Sequence, residues 1–171
     1  MDILQMAWGV IEGDWKYFLS FCSALCLAWY ARQTIKKKTT TELMFDALSS
    51  EIHKHYQKIY DIDNDKNQTI SKYASRENSE TDEAIAIRYV LNFWENVAVG
   101  VNNGIFSERI LKESSYNTLL NAYEKTKPFI EEVNKGKRTK TIYQELSLLA
   151  KRWEKNKLKP KKRYRWWHFF S

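Results

Sequence analysis

The chain has 171 residues and a formal net charge of +7, a length that suits one ordinary domain and an additional segment. Only five Gly and two Pro are present, which disfavours a β sandwich or barrel rich in turns. Lys151–Ser171 contains nine of the 28 Lys and Arg residues but only one of the 21 Asp and Glu residues. The body of the chain is therefore close to neutral, and the basic character belongs to its tail.

The first element is an apolar run, Tyr17–Ala31, without ionised side chains. It is slightly shorter than the roughly 18 residues of a typical membrane span, so its flanks decide its interpretation. Aromatic residues stand at both ends, and a basic cluster follows, which is the pattern of an interfacial belt and a cytoplasmic stop. These flanks favour a transmembrane helix over residues 15–38, with a buried helix of a soluble protein as the alternative. The predicted anchor residues are Trp15, Tyr17, Trp29, Tyr30, Arg32, Lys36, Lys37 and Lys38.

The charges around this run predict its orientation. Residues 1–14 contain three acids, Asp2, Glu12 and Asp14, and neither Lys nor Arg. By the positive-inside rule, this short N-terminal segment would lie outside and the rest of the chain in the cytoplasm. The sequence thus predicts a single-pass protein of the inner (cytoplasmic) membrane, with membrane lipid as one partner.

Small residues recur within the apolar run at Ser20, Ala24 and Ala28. This spacing of four places them on one helix face, where two helices can approach closely. The pattern predicts self-association into a homo-oligomer. The alternative is a face of small residues that contacts only lipid.

Residues 39–156 predict an all-α cytoplasmic bundle of about four helices. Thr39–Glu42 matches a capping box, so the first helix should begin there and run to about Ile62. The polar stretch 63–80 is predicted to be a loop. Ser79 or Thr81 should cap the next helix, whose predicted buried residues are Ile87, Val90, Leu91, Trp94, Ala98 and Val101.

Two further helices complete this predicted bundle. Gly104 should stop the preceding helix, and Ser107 should cap the one that follows. Pro128 should kink or divide that helix, because proline removes a backbone hydrogen bond. A last helix is predicted from the apolar spacing of Ile142, Leu146, Leu149 and Trp153.

The tail, residues 157–171, places basic residues before four large aromatic ones. Basic charge attracts such a segment to anionic lipid, and aromatic side chains suit the interface. The same composition also suits a protein or nucleic-acid partner, or a solubilising tail without a partner. The residues predicted to bind lipid or a partner are Lys161, Lys162, Arg163, Arg165, Trp166, Trp167, Phe169 and Phe170.

Three segments resemble a known family: VLNFWENVAVGVNNGIFSERIL (Val90–Leu111), YEKTKPFIEEV (Tyr123–Val133) and IYQELSLLAKRW (Ile142–Trp153). TTTELMFDAL (Thr39–Leu48) adds a similar stretch. They are similar to a domain-of-unknown-function family of small bacterial and prophage proteins. The resemblance implies one N-terminal transmembrane helix and a helical cytoplasmic part. The prophage setting implies a role in phage–host conflict, such as superinfection exclusion or defence.

These patterns predict a membrane-anchored interaction or regulatory protein that is not an enzyme. No motif for a phosphate loop, a metal site or a nucleophile with its base occurs, so no cofactor, metal ligand or catalytic residue is predicted. Glu95 is the one acid that suits catalysis, and pairing with Arg88 or a capping role is the favoured interpretation. The alternative function is a membrane-tethered nucleic-acid-binding protein or nuclease-like effector, although the neutral body disfavours a nucleic-acid partner.

Overall fold

The computed structural model describes residues 3–47, 50–65, 69–135 and 137–160. Within these ranges every regular element is helical, which confirms the predicted all-α class. There are five α-helices and one short 3-10 helix, Ile70–Ala74. The α-helices are α1 (Ile3–Ala47), α2 (Ser50–Asn64), α3 (Asp82–Asn102), α4 (Glu108–Asn134) and α5 (Gln144–Lys155).

The predicted transmembrane helix is wrong. Among the described residues, no helix combines the length and the apolar character that crossing a membrane requires. Helix α1 is long, but its uncharged part, Tyr17–Ala31, spans only about 22 Å at 1.5 Å per residue. A bilayer core is about 30 Å thick. The predicted single-pass location in the inner membrane, with its N-terminus outside, is wrong for the same reason.

The predicted helix start at Thr39 is also wrong, because α1 continues through this sequence to Ala47. The three threonine hydroxyls do not cap a helix. Each donates a hydrogen bond to the carbonyl oxygen four residues earlier, at 3.0 Å from Thr39, 2.6 Å from Thr40 and 3.0 Å from Thr41. Threonine inside a helix commonly makes this bond. A second helix, α2, then begins at Ser50, so the predicted helix over 39–62 is two helices.

Helix α3 lies at the centre of the core and packs against α2, α4 and α5. All six residues predicted to be buried on this helix are buried. The Thr81 hydroxyl accepts a hydrogen bond from the Ala84 N–H at 3.3 Å, which confirms the cap at the start of α3. Gly104 follows α3 with φ of +71°, the left-handed conformation that glycine adopts without strain, so the predicted stop is confirmed.

The segment predicted as a polar loop contributes to the core. Its 3-10 helix places the side chains of Ile70 and Tyr73 among the buried residues, where the helix packs against α4. The two apolar residues are three apart, and this spacing brings them to one side of a 3-10 helix. One turn contains too few apolar residues to show a helical periodicity. Most other residues of the segment are polar, so the sequence pattern indicated a loop.

Helix α4 continues through Pro128, and its departure from helical geometry lies earlier, at Ser115 (φ −125°, ψ 15°). The predicted break at Pro128 is therefore wrong. Helix α5 follows the predicted spacing, with Leu146, Leu149 and Trp153 buried. The Trp153 indole N–H donates a hydrogen bond to Glu108 Oε1 at 3.0 Å, which joins the end of α5 to the start of α4.

A hydrogen bond to the buried Thr40 side chain joins α1 to the rest of the domain. Thr40 is fully buried, and its hydroxyl oxygen accepts a hydrogen bond from the Ser107 N–H at 2.8 Å. Ser107 is the predicted N-cap of α4, but its own side chain makes no capping bond. Thr40 thus satisfies a backbone donor that the end of a helix would otherwise leave without a partner.

Replacing Thr40 by Val keeps the side-chain shape but removes the acceptor for the Ser107 N–H. We expect Thr40→Val to lower the free energy of unfolding by about 1–3 kcal/mol, the cost of a buried donor without a partner. Thr41→Val is the matched control, because Thr41 is exposed and bonds only within α1. Chemical denaturation of both variants measures the difference, and equal midpoints would contradict the role of Thr40.

Candidate interaction surface

The most unusual surface of the described chain is the apolar segment of α1, residues 15–35, which is uncharged from Tyr17 to Ala31 and has its charged residues, Lys16 and Arg32, near its ends. Its large apolar side chains are exposed although they lie close together. Soluble proteins seldom expose contiguous apolar surface of this kind, and where they do it commonly marks an interaction site. These exposed residues are Trp15, Tyr17, Phe18, Leu19, Phe21, Leu25, Leu27, Trp29, Tyr30 and Ile35.

The exposed residues stand on every side of the helix rather than along one stripe. Leu25, Leu27 and Trp29 are 54%, 69% and 64% exposed, and successive positions two apart are about 200° from one another around a helix. A helix that is apolar on all sides is ordinarily covered by other apolar groups. The rest of the described chain does not cover this segment.

The structure places the predicted anchor residues on this segment and just after it. The aromatic residues are all exposed, as are Arg32, Lys37 and Lys38, whereas Lys36 is half-buried. Trp15 and Phe18 stack on each other, with their ring centroids 5.7 Å apart. These residues therefore form one exposed aromatic and basic surface, although the membrane-spanning helix that they were predicted to anchor is wrong.

The three small residues predicted to mediate self-association are exposed as well. Ser20, Ala24 and Ala28 follow one another at intervals of four, so they lie along one side of α1. Ala31 extends this side toward the folded core. A helix that approaches here would meet small side chains and could come close to the α1 backbone.

The small-residue side of α1 leads into a groove against the turn between α3 and α4. Ala28, Ala31 and Ile35 form the α1 wall, and Gly104 and Ile105 form the opposite wall. A Cβ atom at Gly104 would lie 3.8 Å from Arg32 Nη2 and 4.0 Å from Lys36 Nζ. The groove is therefore apolar along its length and carries two basic groups at the glycine turn.

The predicted lipid- or partner-binding residues of the tail, Lys161 to Phe170, lie outside the described residues. Within the described ranges, no three His, Cys, Asp or Glu side chains come close enough together to hold a metal ion.

Glu95, the acid singled out as a catalytic candidate, caps α5. Its Oε1 accepts a hydrogen bond from the Glu145 N–H at 3.2 Å, and its Oε2 accepts one from the Leu146 N–H at 2.7 Å. A carboxylate at a helix N-terminus is stabilised by the free N–H groups and by the helix dipole. The interpretation of Glu95 as a structural cap is confirmed.

Tyr143, the residue before α5, has an unusual backbone conformation. Its side chain is buried, and its backbone lies in the left-handed region, with φ of 58° and ψ of 35°. A bulky residue in this region costs about 1–3 kcal/mol, which the surrounding structure must offset. Burial raises the pKa of the Tyr143 hydroxyl, and the nearby positive charge of Arg88 opposes that shift. The sequence carries no signal for this conformation, because glycine or asparagine usually occupies it.

Two further polar contacts between helices were not predicted from the sequence. The Trp94 indole N–H donates to the Tyr56 hydroxyl, which joins α3 to α2, and burial raises the pKa of Tyr56 well above its ordinary value. Glu108 Oε1 also lies 3.1 Å from Arg152 Nε, beside its bond with Trp153. These pairs are 38 and 44 positions apart in the chain, so no local pattern could indicate them.

These features define an all-α domain in which a long N-terminal helix exposes an apolar segment. The chain belongs to the family described as Domain of unknown function (DUF4760), which matches residues 17–153. This match confirms a family of unknown function, whereas the bacterial and prophage setting that the resemblance implied stays a prediction. Comparison with curated proteins and with solved structures gives no significant match.

Replacing Glu95 by Ala removes both acceptors at the start of α5. We expect Glu95→Ala to lower the free energy of unfolding by about 1–3 kcal/mol, because capping bonds to a charged group are lost. Asn96→Ala is the matched control, since Asn96 is the exposed neighbour on the same helix. Thermal unfolding followed by circular dichroism measures both. A variant of Glu95 as stable as that of Asn96 would contradict the capping role.

Proposed function

We propose that this protein is a non-catalytic interaction protein whose partner-binding surface is the apolar segment of α1, residues 15–35. The observation that carries the proposal is the exposure of large apolar side chains on all sides of this segment. Burying such a surface is favourable by about 25 cal/mol per Å² of apolar area. Association that buries this segment is therefore favourable, because the single chain leaves its apolar area exposed.

The occupant that we propose is the α1 helix of a second copy of the chain. Ser20, Ala24 and Ala28 support this choice, because two copies of the same small-residue side can pack closely against each other. One neighbouring helix would cover only part of a segment that is apolar on all sides. Association of more than two α1 helices would cover more of it.

The bonding of Glu95 supports a role without catalysis. A general acid or base needs a carboxylate that can reach a substrate. Both Glu95 oxygens instead accept backbone hydrogen bonds from α5. The alternative of a nuclease-like effector therefore loses the one acid on which the sequence argument depended.

A role in superinfection exclusion or phage defence is the finer form of this proposal. It rests on the prophage setting that the family resemblance implies. Plating efficiency of phages on cells with and without the protein tests it. Protection by the full chain that Leu27→Glu abolishes would link defence to the α1 surface, and unchanged plating would contradict the defence role.

Self-association is tested by the mass of the full chain in solution, measured by analytical ultracentrifugation. We expect an oligomer, and we expect Leu27→Glu to shift it toward the monomer, because a charge would enter the apolar contact. Leu27 is 69% exposed in the single chain, so the substitution should leave the fold intact.

The matched control is Ile85→Glu, which places the same charge at an exposed apolar residue of α3. This variant should retain the mass of the unsubstituted protein. A monomeric parent chain, or equal dissociation by both substitutions, would contradict self-association through α1.

A further inference from the structure

A second candidate site lies far along the chain from the apolar segment of α1. It is an open cleft of about 510 Å³ between the C-terminal half of α4 and the start of α5. Binding clefts for small molecules commonly have this size, which is also ample for a single side chain. The apolar part of the lining is formed by Tyr123, Ile130, Ile142 and Leu148.

Polar contacts hold the walls of this cleft in place. Asn134 is buried at the end of α4, and its Nδ2 donates to the Ile142 carbonyl oxygen at 3.0 Å. In return, the Ile142 N–H donates to Asn134 Oδ1 at 3.2 Å. These two hydrogen bonds hold the chain segment before α5 against the end of α4, and Glu95 holds the start of α5 itself. The cleft is therefore formed before any ligand arrives.

The rim of the cleft is strongly basic. Four lysines line it against one acid, Glu131. Lys135 is partly neutralised by Glu132, at 3.3 Å between Nζ and Oε2. In the described part of the chain, the other three lysines, Lys127, Lys140 and Lys151, form no ion pair, and all three are exposed.

We propose that this cleft binds an acidic peptide segment of a partner protein through an apolar anchor residue. The exposed lysines complement carboxylates at the rim, and such complementarity favours encounter and orientation. Leu148, which belongs to the apolar lining, is 52% exposed, so an apolar side chain of the peptide would gain a contact there. The inference does not depend on the proposed function of α1.

The composition of the lining favours a peptide over nucleic acid. Single-stranded nucleic acid is usually held by aromatic side chains on which bases stack. Tyr123 is the aromatic residue among those that line the cleft, and it is only 6% exposed. Arginine, which recognises phosphate with a bidentate fork, does not occur among the described lining residues.

The test uses the full chain and a fluorescein-labelled peptide with Leu every three to four residues and Glu at the other positions. Fluorescence anisotropy should show saturable binding that weakens as salt shortens the range of electrostatic attraction. We expect the combined Lys127→Glu, Lys140→Glu and Lys151→Glu variant to bind about tenfold or more weakly. Leu148→Ser should weaken binding of the Leu peptide and leave binding of a peptide with Ser in place of Leu unchanged.

A control variant with the same change in net charge carries Lys37→Glu, Lys54→Glu and Arg76→Glu, all exposed and outside the cleft lining. It should retain the affinity of the unsubstituted chain to within about twofold. Equal loss in both variants would show that net charge or the basic tail, rather than the cleft, attracts the peptide, and would overturn the proposal. Binding of a single-stranded oligonucleotide at the cleft, with the peptide ignored, would overturn it as well.

Discussion

The carboxylate of Glu95 at the start of α5 is the contact on which much of the domain's arrangement depends. Its two oxygens accept the N–H groups of Glu145 and Leu146, so α5 is fixed end-on against the middle of α3. This placement brings Trp153 into the core, where its indole bonds to Glu108. It also sets one wall of the lysine-rimmed cleft. A buried helix end must find partners for its free N–H groups, and here a distant helix supplies them.

The two ends of helix α1 differ in how they contact the rest of the chain. Near its C-terminal end, the Thr40 hydroxyl joins it to the folded core through the Ser107 N–H. Toward its N-terminal end, the apolar segment contacts little of the described chain and exposes residues such as Leu27 and Trp29. A helix of this kind can be held firmly in position while it presents apolar area for association. The proposed self-association and the proposed peptide cleft therefore use two separate surfaces, one apolar and one basic.

Local patterns predicted those features that depend on neighbours along the chain. The cap at Thr81, the glycine stop at Gly104 and the buried stripe around Trp94 all follow from spacing and turn chemistry, and all are present. The same reasoning failed at Thr39, because a threonine before a glutamate looks like a cap whether or not the helix has already begun. Inside a continuing helix, its hydroxyl can bond to the preceding turn instead.

The sequence by itself determined the all-α class, the position of most helices and the residues that bury their apolar faces. These properties are set by periodicity and by side chains within a few positions of one another. Only the tertiary structure decided that Glu95 caps α5, that Thr40 accepts a hydrogen bond from the start of α4 and that Asn134 holds one wall of a basic cleft. The partners of Thr40 and Glu95 lie 67 and 50 positions away. A buried backbone N–H needs an acceptor, but which distant side chain supplies it depends on how the helices pack.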